Sequence, residues 1–226
     1  GAEKYIIFGF DMETDIGSYL KTYKGIRQGS PKILDILKKH GIEATFFFTG
    51  HAAQNNPDQV LEIVGQGHDL GCHSLKHETV GDAAFNMPND CPILEEELER
   101  RLLKNIEIIK SITGSRPQNF RAPRLWQGHG QIKVLENLGF KVDASYSVAT
   151  HEKQIIPYHP SDTDWLQPGN MNILEIPNFA FLDSENDYSR FFGQNDQWPL
   201  LRLLGAEFVA ENQKLVVERQ AELTDK

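Results

Sequence analysis

Two pairs of side chains in this sequence have the residue types and spacing of a metal-dependent active site. Three residues separate His73 from His77, a spacing that places both imidazoles on one side of a helical turn and suits a divalent metal. Asp11 and Glu13 alternate at the end of a predicted strand, so both carboxylates can face the same side. Acids this close repel each other unless a cation is present, which predicts one metal ligand and one general base. The alternatives are unconnected surface histidines and a solvated, acid-rich turn.

Two further charged residues fall at predicted strands. Arg121 precedes Ala122-Pro123, a stiff setting for a charged side chain, and buried arginines usually pair with carboxylates. The functional interpretation is that Arg121 orients the base, and the structural alternative is a salt bridge without a catalytic role. Asp143 lies in a later predicted strand.

The elements that must position these residues alternate between strand and helix. Strands are predicted at residues 5–10, 44–49, 69–74, 119–123, 140–145 and 172–176. Helices are predicted at residues 32–40, 57–64, 92–113, 132–138 and in the tail from 198. This alternation favours parallel pairing with right-handed crossovers, in a barrel or a doubly wound sheet. The strand ends with their polar residues then meet at one face.

Apolar spacing and capping residues predict the helix faces and ends. Ser30 is expected to cap the first helix and Gly41 to end it. The residues expected to face the core are Ile33, Leu34, Ile36 and Leu37; Val60, Leu61 and Val64; and Leu94, Leu98, Leu102, Ile106 and Ile109.

Length and composition favour one domain over residues 1–226, without a disulfide framework. The 23 basic and 32 acidic residues give a net charge of −9, which argues against nucleic-acid binding. No apolar run reaches the roughly 18 residues of a membrane span, and Cys72 and Cys91 are too few for a framework. The chain shows no signal-peptide core, so the cytoplasm is the favoured compartment, although a removed leader stays an alternative. The oligomeric state is not predicted.

Three motifs in order resemble one known family. F-D-x-E at residues 10–13, H-S-x-x-H at 73–77 and R-A-P at 121–123 look like the polysaccharide deacetylase family, the NodB-homology domain of carbohydrate esterase family four. Residues 44–50 and 67–74 resemble that family's second strand and the segment before its histidine motif, and the likeness runs from about Lys4 to about Asn178. It implies an α/β fold, a distorted (β/α) barrel of seven strands, and a divalent metal, commonly zinc.

The resemblance also implies a role for each matching residue. The metal would be held by one carboxylate and two imidazoles, which correspond to Glu13, His73 and His77. The catalytic residues would be the base, the arginine that holds it and the acid that supports this arginine, which correspond to Asp11, Arg121 and Asp143.

The sequence departs from the family pattern at two places. The family's first motif commonly has adjacent acids, whereas Met12 separates them here, as in a branch of peptidoglycan deacetylase-like proteins, and Asp15 is a rival metal ligand. Pro177 stands where the family usually places a catalytic-acid histidine, and proline cannot donate a proton. The candidates to replace that acid are His129, His151 and His159.

The expected activity is metal-dependent hydrolysis of N-acetyl groups on a chitin- or peptidoglycan-like polysaccharide. The metal would polarise the amide carbonyl and activate water, with Asp11 as the base. Trp126 is a candidate wall for a sugar ring. One alternative is a small cyclic amide such as allantoin as the substrate. The other is a carbohydrate-binding relic without turnover. The acidic net charge favours neutral or cationic glycans.

Overall fold

A single parallel sheet organises the chain. The computed structural model describes residues 5–79, 95–151, 153–178, 205–211, 213–214, 217–218 and 221. Within these residues the sheet has six strands: β1 (Gly9–Met12), β2 (Thr45–Phe48), β3 (Asp69–Cys72), β4 (Asn119–Phe120), β5 (Val142–Asp143) and β6 (Leu174–Glu175). Spatial order follows chain order, and every neighbouring pair is parallel. The predicted parallel α/β organisation is confirmed, while the seventh strand stays a prediction.

Helices connect the parallel strands. They are α1 (Ser30–His40), α2 (Gly50–Asn55), α3 (Pro57–Gly65), α4 (Glu95–Thr113), α5 (His129–Asn137) and α6 (Val148–His151). A π-helical turn (Gly25–Gly29) precedes α1, and a 3₁₀ turn (Pro123–Leu125) follows β4. Residues 205–211 are helical, as predicted for the tail. The short helix α2 was not predicted. Cys91 and Leu94 lie outside the described residues.

The first predicted strand is shorter than its apolar run. Residues 5–8 lie outside β1, and Tyr5 is 78% exposed. The strand register explains this, because pairing with β2 begins at Gly9 opposite Thr45.

Helix α1 has the predicted ends but not the predicted cap. Pro31 occupies its first turn, and Gly41 ends it in the left-handed conformation with φ of 62°. Ser30 does not cap the helix, because its hydroxyl donates to the Ile26 carbonyl in the preceding π-helical turn. Leu34 and Leu37 are buried as predicted, whereas Ile36 is exposed.

The core lies between the sheet and its helices. The α4 stripe is buried as predicted, at Leu98, Leu102, Ile106 and Ile109. Helix α3 buries Val60 as predicted and also Ile63, but it leaves the predicted core residues Leu61 and Val64 exposed. In the described part of the chain, no helix has both the length and the apolar character needed to cross a membrane.

Asn105 connects the core helix α4 to the ends of two strands. Its amide donates to the carbonyls of Phe48 at 3.3 Å and Ser74 at 2.6 Å. The side chain is fully buried. Because Ser74 directly follows His73, this contact fixes the backbone at the start of the histidine segment.

We expect Asn105→Ala to lower the free energy of unfolding by about 1–3 kcal/mol, because two buried hydrogen bonds are lost. Urea denaturation measures this change. Ser111→Ala is the matched control on the exposed side of α4, where the serine bonds only the Ile108 carbonyl, and it should change stability by less than about 0.5 kcal/mol. Equal effects for both variants would contradict the assignment.

Candidate active site

Polar residues from β1, β3 and β4 meet at the carboxyl ends of these strands. Glu13 directly follows β1, His73 directly follows β3 and Arg121 directly follows β4. The His73 amide donates to the Phe48 carbonyl at 2.8 Å, which continues the sheet hydrogen bonding up to the histidine. The predicted convergence of these strand ends on one face is therefore present in the structure.

Glu13, His73 and His77 form a compact triad. Glu13 Oε2 lies 3.3 Å from His73 Nε2 and 2.5 Å from His77 Nε2. The three side chains are only 14%, 1% and 7% exposed, respectively. Among the described residues, this is the group whose donor atoms lie close enough together, all within 4.8 Å, to hold a metal ion.

The chemistry of the triad fits a divalent cation. Glu13 Oε2 is buried, and the Nε2 atoms of His73 and His77 lie 3.3 Å and 2.5 Å from it. A positive charge, either a proton on an imidazole or a metal ion, offsets the negative charge and the lone pairs that meet here. Two histidines and one glutamate are a known ligand set for catalytic zinc, in which a fourth position stays open.

A backbone carbonyl sets the orientation of His73. His73 Nδ1 lies 2.8 Å from the Arg121 carbonyl oxygen, which can only accept. The proton therefore resides on Nδ1, and the lone pair of Nε2 faces the triad, the usual outer-shell arrangement for a metal-ligating histidine. His77 Nδ1 is buried and has no hydrogen-bond partner in the part of the chain that is described.

The two histidines lie on a turn and not on a helix. Ser74 and His77 have φ values of 61° and 65°, in the left-handed region that L-residues seldom adopt. The helical turn predicted from their spacing is therefore wrong. Glu78 holds the turn by accepting from the Lys76 amide at 2.5 Å and from the Ser74 hydroxyl at 3.3 Å.

The carboxylate of Glu13 perturbs both imidazoles. Burial raises the pKa of Glu13, but hydrogen bonding and charge from His73 and His77 lower it to about 2. Burial lowers the pKa of His73, but the charges of Asp11 and Glu13 outweigh this and raise it. Burial and the charge on His73 lower the pKa of His77. The glutamate is thus ionised at neutral pH, as a ligand must be.

Asp11 is held beside the triad by Arg121. Arg121 Nη1 donates to Asp11 Oδ1 at 2.9 Å, and Asp11 Oδ2 lies 3.9 Å from His73 Nε2. The Asp11 side chain is 39% exposed, so Oδ2 can reach a molecule at the mouth of the site. A Cβ at Gly9 would lie 2.5 Å from Arg121 Nη2, so the guanidinium needs a glycine there.

Asp143 does not support Arg121 as the resemblance implies. Its buried carboxylate accepts from the Ser145 hydroxyl and the Gln127 amide, each at 2.5 Å, and it makes no ion pair with Arg121. The Asp143 side chain is fully buried, and the Arg121 side chain is 13% exposed. The guanidinium is bonded instead by the backbone carbonyl of Ala144 at 3.2 Å.

Asp143 forms a buried acid pair with Glu175, which the sequence analysis did not single out. The two residues are direct neighbours in the register of β5 and β6. Glu175 Oε1 accepts from the backbone amides of Ser145 and Tyr146, while Oε2 is buried and has no hydrogen-bond partner among the described residues. A glutamate within the apolar run 173–176 was the available signal.

The burial of this acid pair favours the protonated form of both carboxyl groups. Burial raises the pKa of Asp143. Burial and the negative charge of Asp143 raise the pKa of Glu175 well above its ordinary value. Two acceptor carboxylates can make contact only if one of them is protonated.

Asp15 has a structural position outside the triad. One carboxylate oxygen accepts from the Thr22 hydroxyl and the Lys24 amide, and the other accepts from the Gly25 amide at 2.7 Å. Burial raises the pKa of this acid, but these hydrogen bonds outweigh it and lower the pKa. Asp15 therefore stabilises the loop after β1, and Glu13 is the carboxylate that faces the histidines.

The three histidines predicted to replace the missing acid have different surroundings. His159 bonds the Ile173 carbonyl at 3.0 Å, beside the amino end of β6, whereas the triad lies at carboxyl ends. His151 packs against the rings of Tyr146 and Trp165. The side chain of His129 lies outside the described part of the chain. An acid role for these histidines stays a prediction.

Trp126 is not an exposed wall for a sugar ring. It is only 3% exposed and belongs to the buried part of the loop after β4.

A carboxylate and two histidines thus meet at the carboxyl ends of a parallel α/β sheet, where they could hold one metal ion. The family described as polysaccharide deacetylase matches residues 2–142, which is more than half of the chain. The chain therefore belongs to the polysaccharide deacetylase family.

Curated relatives agree with this membership. A peptidoglycan deacetylase of Helicobacter pylori is 31% identical over 69% of this chain and 54% of its own length. A peptidoglycan-N-acetylglucosamine deacetylase of Bacillus cereus is 35% identical over 80% of this chain and 61% of its own length. The chain thus spans a little over half the length of these relatives.

The fold is also that of a solved allantoinase. That crystal structure, titled Puue Allantoinase, superposes with a TM-score of 0.64 at 18% identity, over 96% of this chain and 73% of the other. This likeness concerns the fold alone, and it confirms the predicted distorted (β/α) barrel class.

We expect His73→Ala to lower zinc affinity by more than roughly 100-fold. Removal of a residue that only hydrogen-bonds to a ligand typically costs roughly 10- to 100-fold, and here a ligand itself is removed. Competition with a chromophoric zinc chelator measures this. Asp15→Asn is the control and should leave the affinity unchanged, since its oxygens face the loop after β1. Loss of zinc in the Asp15 variant with retention in the His73 variant would reverse the assignment.

We expect Glu175→Gln to flatten the decline of stability with rising pH. Folding raises the pKa of Asp143 and Glu175, so the folded state binds more protons. Stability is therefore lost as the pH rises from the ordinary carboxyl range towards the folded values. The glutamine keeps the Oε1 acceptor and can donate to Asp143. The difference in free energy of unfolding between variant and wild type should therefore shift in favour of the variant by on the order of 1 kcal/mol from pH 4 to pH 8.

Urea unfolding at several pH values tests this expectation. Glu43→Gln on the exposed surface is the control, and it should follow the wild-type profile. A Glu175→Gln profile parallel to that of wild type would contradict the raised pKa of the pair.

Proposed function

We propose that this chain is a metal-dependent deacetylase that removes N-acetyl groups from an N-acetylated, peptidoglycan- or chitin-like polysaccharide. The observation that carries the proposal is the position of an arginine-held aspartate 3.9 Å from a ligand imidazole, next to a His/His/Glu triad. Family membership and the names of the curated relatives support the class of substrate.

Glu13, His73 and His77 would hold the metal, and zinc suits this donor set. When bound, such an ion polarises the amide carbonyl and lowers the pKa of a water molecule. The proton on His73 Nδ1 and the Arg121 carbonyl keep the imidazole in the orientation that ligation requires.

Asp11 would act as the general base. Its Oδ1 is occupied by Arg121, which leaves Oδ2 to accept a proton from the attacking water. The water oxygen forms a bond to the carbonyl carbon. The bond between this carbon and the sugar nitrogen then breaks as that nitrogen takes up the proton that Asp11 accepted from the water. The products are acetate and an amino sugar. Arg121 holds the aspartate in place through the hydrogen bond to Oδ1.

We expect Asp11→Asn to reduce turnover by at least about 100-fold while zinc stoichiometry is unchanged, because the amide cannot accept the proton. Acetate release from N-acetylated chitooligosaccharides and from peptidoglycan, with and without added zinc, measures turnover. Asp162→Asn in an exposed loop is the control and should retain full activity. Retained activity in the Asp11 variant would make this residue structural.

The same preparation distinguishes the alternatives. Hydrolysis of allantoin without acetate release from either polymer would replace the polysaccharide by a small cyclic amide as the substrate. Absence of turnover on all three substrates in the zinc-loaded protein would contradict the proposed hydrolase function.

A further inference from the structure

Every nitrogen of the Arg121 side chain has an acceptor. Nη1 donates to the Asp11 carboxylate at 2.9 Å, and Nε donates to the Ala144 carbonyl at 3.2 Å. Nη2 donates to Asn178 Oδ1 at 3.0 Å. Its face lies 4.4 Å from the ring centroid of Phe47. The orientation of the guanidinium, and with it the hold on Asp11, is thus determined from three sides.

The Asn178 amide is itself fixed in one orientation. Asn178 Nδ2 donates to the carbonyls of Ala144 at 2.5 Å and Tyr146 at 3.3 Å. Because carbonyl oxygens accept only, the nitrogen of the amide must face them, and Oδ1 must face Arg121. The backbone is tied as well, since the Asn178 amide donates to the Tyr146 carbonyl at 2.8 Å and the Val148 amide donates to the Asn178 carbonyl at 3.2 Å.

Asn178 takes the place next to Arg121 that the sequence analysis assigned to Asp143. It follows Pro177, shortly after β6, so the last described strand brings it to the site. Its oxygen is neutral, whereas a carboxylate there would compete with Asp11 for the positive charge of the arginine. A neutral acceptor therefore fixes the geometry of Arg121 and leaves its charge for the aspartate.

We propose that Asn178 is a positioning residue for the reaction: it orients the Arg121 guanidinium, which in turn holds Asp11 in its reactive orientation. This inference rests on the proposed deacetylase function. Asn178 touches neither the triad ligands nor Asp11 in the described contacts, so it acts through the arginine.

Kinetics of Asn178→Ala test the proposal. We expect kcat for acetate release to fall between about 10- and 100-fold, since small misplacements of a catalytic group have effects of this size. KM and zinc stoichiometry should be unchanged, because neither substrate binding nor the ligands are altered. Asn172→Ala, an exposed residue just before β6, is the matched control and should behave like wild type.

A double-mutant cycle separates positioning from general loss of structure. In an Arg121→Ala background, Asn178→Ala should have almost no further effect on kcat, because the residue through which it acts is gone. An equal loss of kcat in both backgrounds would overturn the proposal, as would a rise in KM with kcat unchanged.

A structural measurement keeps the proposal testable if the wild-type protein deacetylates nothing. In a crystal structure of Asn178→Ala, the contact between Arg121 Nη1 and Asp11 Oδ1 should be lost or lengthened, and the wild-type crystal should retain it. If the wild-type protein is inactive and the Asn178→Ala variant loses the contact, only the proposed function is contradicted. Retention of the contact in the variant would contradict the role of Asn178.

Discussion

The need to compensate negative charge at one end of a parallel sheet governs this structure. Asp11 lies within β1 and Glu13 directly follows it, while Asp143 and Glu175 are the last residues of β5 and β6. Each acid is balanced in a different way, because water does not reach most of them. Asp11 has the guanidinium of Arg121, and Glu13 has two imidazoles and space for a cation. For Asp143 and Glu175, burial raises the pKa and so favours the uncharged form.

These solutions divide the site into an outer reactive layer and an inner support. The outer layer holds the acid with a partly exposed oxygen and the three side chains suited to a metal. The inner support is a hydrogen-bonded network in which Ser145 joins Asp143 to the Ala122 amide, and Gln127 joins it to the loop after β4. This buried hydrogen-bonded network therefore supports the loop that follows Arg121.

Much of the site could be predicted from the sequence, because the rule that parallel strands present their carboxyl ends on one face depends only on strand order. Glu13, His73 and Arg121 come together for that reason. The partner of Asp143 could not be predicted, since it depends on the register that sets Glu175 beside it. Asn178 was missed because its role depends on a side-chain amide whose neighbours come from a different strand. The turn at His77 was missed because the spacing of two histidines does not report a positive φ.

The bond between His73 and the Arg121 carbonyl is a contact to the main chain, and this has a consequence for how the family can diverge. The ligand imidazole depends on the backbone at position 121, whereas the base depends on the side chain at the same position. A substitution of Arg121 removes the hydrogen bond to Asp11 but keeps the backbone carbonyl that orients His73. With the proposed function, ion binding and turnover would therefore be separable by substitutions at one position, and a metal-binding but inactive descendant would be one substitution away.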